Sequence, residues 1–387
     1  MKRILIVNNN MHIGGVQKAL VNLLNAIHDR YDITLLLFHP AGELLKEIPA
    51  DVTVLAVRSA YRFLGMTRYD VAHKPLWKLQ RSLWALTTRI LGRTSAISLM
   101  AFGQKKLTGY DAVISFLHDA GERLFYGGCN DFVLRHTSAT RKITVLHCDY
   151  SICGANTPEN ALRYRQFDVI AACSEGCGRQ FISCIPELKD KVNTLFKCHD
   201  FEGIACAARE DPQKFPADSV NIVTVARLGK EKGVLRAVET LGQLTDFENY
   251  HYYIVGDGIE RPQIETRIQE LGLEQKVTLL GEKVTPYGYI QAADLLLIPS
   301  VSEAAPMVVG EAAALGTPIL STMTSSAKDM IETPGYGWVC ENSQEGLWQM
   351  LCRILSEPLL LEEKKQYLSR ISLDNSCALE QLAQILR

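Results

Sequence analysis

The sequence predicts an α/β protein made of two successive βαβ domains, each built on a parallel sheet. Three observations carry that prediction. The chain has 387 residues, more than the roughly 250–300 at which a single core stops growing. Short, unbroken apolar runs, the signature of parallel strands buried on both faces, alternate with stretches of helical periodicity. That alternation fades from Lys197 to Asn221, where Asp211-Pro212, Phe215-Pro216 and several charges mark a linker, and then begins again.

Bulk properties exclude several classes. A net charge of −2 gives no general nucleic-acid signal, and no run of about 18 apolar residues is present to span a bilayer. The opening Met1-Lys2-Arg3-Ile4-Leu5-Ile6-Val7 has too short an apolar core for a secretory signal and no small-residue cleavage site. It reads as a first strand, and the protein is expected in the cytoplasm. Most of the eleven cysteines sit inside periodic segments, as small apolar residues do. Cys173, Cys177 and Cys184 come closest to a cluster, but their spacing matches no metal pattern with a second ligand pair. Unpaired thiols fit a reducing compartment.

The first strand ends at Val7 and an Asn-rich turn follows, with Gly14-Gly15 opening a helix from Val16 to Ile27. Such a glycine pair either lets backbone approach a ligand at a helix N-terminus or simply makes a tight turn. Further strands are expected at Tyr31–Phe38, Val52–Val57, Asp111–Leu117, Ile143–Leu146, Asp168–Ala172 and Val192–Phe196. Two of them deliver imidazoles at their carboxyl ends, His118 and His147, which either line one pocket or are ordinary loop residues.

Between Arg58 and Lys106 ten Lys or Arg face a single acid, Asp70. Tyr61, Phe63, Leu64, Leu76, Trp77, Leu79, Leu83, Trp84, Ile90 and Leu91 interleave with them at helical spacing. This is the pattern of a helix lying on an anionic membrane surface, and equally that of an amphipathic helix packed on its own domain with a solvated basic face.

Past the linker, a strand at Asn221–Val225 leads to Arg227-Leu228-Gly229-Lys230-Glu231-Lys232-Gly233 and a helix from Val234 to Leu244. A guanidinium and an ammonium flanking a Gly turn at a strand end suit a diphosphate. The strand His251–Val255 precedes Gly256-Asp257-Gly258, which lacks the third glycine of a dinucleotide fingerprint. A helix from about Arg261 to Leu271 and a short strand at Val277–Gly281 follow. The tail from Ser343 to Arg387 reads as helices.

Residues 294–323 organise the second half as strand, loop, helix and strand. Leu295–Ile298 is the buried strand, Pro306 sits at a first helical turn, and the helix stops at Gly316. A helix N-terminus attracts anions, so Glu303 in the loop and Glu311 on the helix are better placed to accept hydroxyl groups than to meet phosphate, or else Glu303 only favours the helix dipole and Glu311 is a solvated helix residue. Open α/β sheets bind ligands at such strand ends.

Several of these motifs, in this order, resemble glycosyltransferase family 4 over nearly the whole chain. The carriers are Pro299-Ser300 with Glu303 and Glu311 eight apart, Ala312-Ala313-Ala314-Leu315-Gly316-Thr317-Pro318, Arg227-Leu228 with Glu231-Lys232-Gly233, Val255-Gly256-Asp257-Gly258, and Gly14-Gly15. The resemblance implies the GT-B fold, two Rossmann-like βαβ domains facing each other across a cleft. An acceptor-side domain would span 1–200 with the basic amphipathic insert at 58–106, a linker 201–218, and a nucleotide-sugar domain 219–360. C-terminal helices at 361–387 would pack back on the first domain.

The resemblance further implies a retaining transfer from a nucleotide-sugar, expected to be UDP-linked, to a glycan or lipid-linked glycan in cell-surface polysaccharide assembly. Arg227 and Lys232 would hold the diphosphate, Glu311 the ribose and Glu303 the donor sugar. Amides near Met307 and Val308 would help, with Gly256 in the donor loop. Gly14 and Gly15 would approach the diphosphate and His118 the donor sugar. No metal and no cofactor is implied, and no nucleic-acid partner. The expected location is cytoplasmic, and peripheral on the inner face of the plasma membrane on the lipid-facing reading of the basic stretch 58–106.

Two departures stand out. Lys197-Cys198-His199-Asp200 occupies the place where relatives carry Asn before an Asp, and Ala304-Ala305-Pro306 replaces a Gly-rich loop. A nucleotide-sugar epimerase of the same architecture, and a nucleotide-sugar-binding subunit without turnover, are the competing readings.

Overall fold

The computed structural model describes residues 1–387 and divides into two compact units, Met1–Cys198 with Asn375–Arg387, and His199–Asp374. The first holds β1 (Arg3–Asn8), β2 (Asp32–Leu37), β3 (Thr53–Ala56), β4 (Leu107–Ser115), β5 (Thr137–Leu146), β6 (Val169–Ala172) and β7 (Val192–Thr194). They form one sheet in the order β3-β2-β1-β4-β5-β6-β7, with every pairing parallel. The second holds β8 (Val220–Val225), β9 (Tyr250–Val255), β10 (Val277–Gly281), β11 (Leu295–Ile298), β12 (Ile319–Thr322) and β13 (Gly337–Cys340). Their order is β10-β9-β8-β11-β12-β13, again parallel throughout. In each sheet the strand order turns back beside the first strand, at β1/β4 and at β8/β11, which is the position where such sheets take ligands.

The all-apolar run of β11 is explained by helices on both faces of its sheet. Leu295 and Leu297 enter one core with Ile222, Leu241, Tyr252 and Ile254. Leu296 and Ile298 enter the other with Val223, Val309 and Ala312. Alternation with period two therefore persists, but both sides are dry.

Several boundaries differ from the sequence reading. Residues 201–210, expected as linker, form a helix, Phe201–Glu210. Ile204 and Ala208 are buried one turn apart, and the Asp200 side chain accepts the Gly203 amide at 2.9 Å as an N-cap. Pro212 and Pro216 lie beyond its end. The helix Leu359–Leu368 stays with the second unit, where Lys365 Nζ reaches Asp294 Oδ1 at 2.6 Å. The helix Ser376–Ile385 belongs to the first, where Lys2 Nζ donates to the Leu386 carbonyl and the Phe196 amide to Gln381 Oε1. A helix at Cys129–His136 and the strand β13 are additional to the elements expected.

The basic insert folds as helices Pro75–Leu91 and Arg93–Met100. Arg93 is buried and pairs with Asp119 and with Asp131 at 2.9 Å, while Arg163 reaches Asp131 at 3.2 Å and Glu122 at 2.9 Å. This network joins the insert to the loop that follows β4. No disulfide joins the cysteines; the Sγ atoms of Cys148 and Cys153 lie 3.2 Å apart in the loop after β5.

Candidate functional site

In the second unit the predicted residues gather at the carboxyl ends of β8, β9 and β11. Gly233, with φ 63°, lets the loop after β8 lie against the end of β11: a Cβ there would stand 2.0 Å from the Pro299 carbonyl oxygen. Lys232 is thereby delivered to Glu303, Nζ to Oε1 2.6 Å, and the Ser300 hydroxyl donates to the same oxygen at 2.9 Å. The Glu303 side chain keeps 11% of its exposure and Lys232 24%, so the pair is largely withdrawn from water. The Glu303 carbonyl in turn accepts the Ser325 hydroxyl at 2.8 Å.

Arg227, the other residue expected at the diphosphate, lies on the surface. Its guanidinium is 75% exposed and bonds Glu231 at 2.6 Å, while Lys232 pairs with Glu303. The two cations are thus held by different carboxylates. Burial acts to raise the Glu231 carboxyl, and backbone hydrogen bonds and the Arg227 charge outweigh it, leaving the group below its usual range. Gly256 has φ 142°, and a Cβ on it would come 1.9 Å from the Ala226 carbonyl oxygen. Its need for glycine is therefore met by packing the loop after β9 on the end of β8, with the Leu228 amide donating to the Asp257 carbonyl at 2.9 Å.

Helix Met307–Ala314 follows β11, with Pro306 at the N-cap in an extended conformation. Met307 and Val308 supply its first two amides, which have no acceptor within the helix. Glu311 lies on its second turn. Sequence reasoning singled out His199 only as a departure from a pattern. Its Nε2 donates to the Met307 carbonyl at 3.2 Å, and its ring stacks on Phe201, centroids 5.4 Å apart. Gly310 faces that ring so closely that a Cβ would fall 2.4 Å from Nε2. The two glycine and histidine positions, more than a hundred residues apart in sequence, lock this helix onto helix Phe201–Glu210, and no local pattern announces them.

In the first unit, His118 and His147 stand at the ends of β4 and β5. His118 Nδ1 and both His147 ring nitrogens are buried without a hydrogen-bond partner. The rings pack on Tyr126 and Phe116, at 5.8 and 4.8 Å between centroids. Burial pushes His118 down to about 4, against a partial offset from Asp119, and His147 lies well below its ordinary value through burial, Lys197 and His118. Both imidazoles are neutral at pH 7, able to accept or donate a hydrogen bond but carrying no charge for a phosphate. Gly14, at φ 176°, has ordinary extended backbone, and Gly15 is the first residue of the helix Gly15–Ile27. Only the flexible end of Gln17 lies close to a Cβ on Gly14, at 2.8 Å.

The model of the family described as glycosyl transferases group 1 matches residues 208–371, within the second unit. The lipopolysaccharide core biosynthesis glycosyltransferase LpsD of Rhizobium meliloti is 26% identical over 354 residues, covering 87% of this chain and 82% of that protein. WcaL of Escherichia coli is 35% identical over 152 residues, and the chain spans only 37% of its length. Among solved structures, HepE of Anabaena in complex with UDP covers 100% of this chain and 99% of its own at 17% identity, with a TM-score of 0.65. At that identity the likeness is one of fold, and the fold is GT-B.

Proposed function

We propose that the protein transfers a sugar from a UDP-sugar, with retention at the anomeric carbon and without a required metal ion, to a glycan or lipid-linked glycan acceptor in cell-surface polysaccharide assembly. The observation that carries the reading is the convergence of Lys232, Ser300 and Glu303 at the end of β11, in front of helix Met307–Ala314 and inside the region matched by the group 1 family. A relative named for lipopolysaccharide core biosynthesis and a UDP-bound protein of the same fold support it.

The ion pair suggests how the donor is received. A diphosphate arriving at Lys232 replaces Glu303 as the partner of the ammonium, and the carboxylate, still held by the Ser300 hydroxyl, turns its acceptor oxygens to hydroxyl groups of the donor sugar. Arg227, on the surface beside it, adds a second cation to the leaving diphosphate by giving up Glu231. As the bond to the anomeric carbon breaks, negative charge grows on the diphosphate, and the two cations stabilise it most at that point. Glu311 is assigned to the ribose, and the Met307 and Val308 amides to sugar and phosphate oxygens. The roles assigned to His118, Gly14 and Gly15 of the first unit are to be read from the kinetics of their variants.

Purified protein incubated with UDP-sugars and membrane extract tests the reading, with the product followed by mass spectrometry and its anomeric configuration by NMR. Sugar transfer that persists in chelator supports it. Conversion of the donor to an isomer without acceptor identifies an epimerase, UDP binding without any turnover a donor-binding subunit, and either outcome replaces the proposal.

A further inference from the structure

The helix Pro75–Leu91 is amphipathic with its aliphatic side turned outward. Thr88 is its one buried residue. The inner side is made by Trp77, Arg81 and Trp84: the tryptophans pack on the cluster of Phe63, Met66 and Val71, and Arg81 Nε donates to the Met66 carbonyl at 2.9 Å. On the opposite side Leu76, Leu79, Leu83, Leu86 and Ile90, spaced three and four apart, are 51–69% exposed. A row of aliphatic side chains this long is not left in water without a partner.

Charge decides which partner. Residues 58–106 hold ten Lys or Arg and one Asp. Arg93 is neutralised internally by Asp119 and Asp131, and Asp70 is tied to Thr67 and His12, so the surface of the insert is left with cations alone. Lys74, Lys78 and Arg89 flank the aliphatic row. The three-four spacing suits a coiled coil with a second copy, but the flanking positions Gln80, Ser82, Thr87 and Arg89 offer no carboxylate, and two such faces would bring like charges together. An anionic lipid surface satisfies both features at once, taking the aliphatic row into the acyl boundary and the cations at its phosphates.

We propose that helix Pro75–Leu91 docks this protein on an anionic bilayer surface, with Leu76, Leu79, Leu83, Leu86 and Ile90 inserted at the interface. Docking stands on the helix alone and does not require the transferase reading, and vesicle binding is measured without turnover, so failure of either is seen separately. The test is flotation of the full chain with vesicles of phosphatidylcholine containing a quarter phosphatidylglycerol, and with phosphatidylcholine alone. The expected result is binding to the anionic vesicles that falls as salt is raised. Leu83→Glu/Leu86→Glu should abolish it with an unchanged melting temperature, since both side chains already face water. Lys74→Ala/Lys78→Ala should weaken it about 30-fold, at roughly 1 kcal/mol per cation. Absence of binding by the wild type, or equal binding by the leucine variant, overturns the proposal. A wild-type dimer in light scattering that the leucine variant dissolves, with no vesicle binding, assigns the face to a second copy.

Discussion

Glu303 and Lys232 show how one contact constrains two roles. Each satisfies the charge of the other at 2.6 Å with little water around them, and the proposed function asks each to meet a different part of the donor. His199 and Gly310 illustrate a second residue-level constraint, where a side chain fills the space a Cβ would need. Gly310→Ala gains about 1 kcal/mol of helix propensity but displaces the ring, at a cost of about 1–3 kcal/mol. The substitution should therefore lower the melting temperature in the wild type and raise it in a His199→Ala background. A shift of the same sign in both backgrounds contradicts the contact. His118 gives a pH dependence with a definite direction. Its folded-state value of about 4 lies below the ordinary 6.5, so the unfolded chain binds more protons between those values and stability falls as pH is lowered from 6.5 to 4. His147, also held low by burial, acts with the same sign, so His118→Gln should make that part of the melting temperature against pH less steep without flattening it; an unaltered profile would contradict a contribution from His118.

At the level of elements, the strands were legible because doubly covered parallel strands are continuous apolar runs, as Leu295–Ile298 shows. What escaped reading has identifiable causes. Helix Phe201–Glu210 was hidden by the breakers just past its end, Pro212 and Pro216. The outward face of Pro75–Leu91 was undecidable because both of its sides are apolar, tryptophans on one and leucines on the other, and only packing tells which is inside. The insert is fastened by Arg93, whose two aspartates come from the loop after β4 and from helix Cys129–His136. Removing one partner of a buried ion network leaves uncompensated charge, so Arg93→Met should cost about 3–5 kcal/mol. Denaturant unfolding of the full chain checks this, and a loss below about 1 kcal/mol would show that the network is not holding the insert.

For the molecule as a whole, two parallel sheets of seven and six strands place charged and polar residues at strand ends by the same rule twice. The sequence motifs located those ends correctly, yet the partners made there were not readable from it. Lys232 and Glu303 lie 71 residues apart, and their meeting depends on Gly233 fitting against Pro299. The measurement that tests the account most directly is transfer and UDP affinity determined side by side for wild type and Glu303→Ala. Transfer should fall by about 10²-fold or more, the scale of losing one preorganised group that stabilises a transition state. UDP affinity should hold or tighten, because Lys232 is released from its carboxylate. Parallel loss of both, or transfer at the wild-type rate, would contradict the assignment of Glu303 to the sugar and Lys232 to the diphosphate.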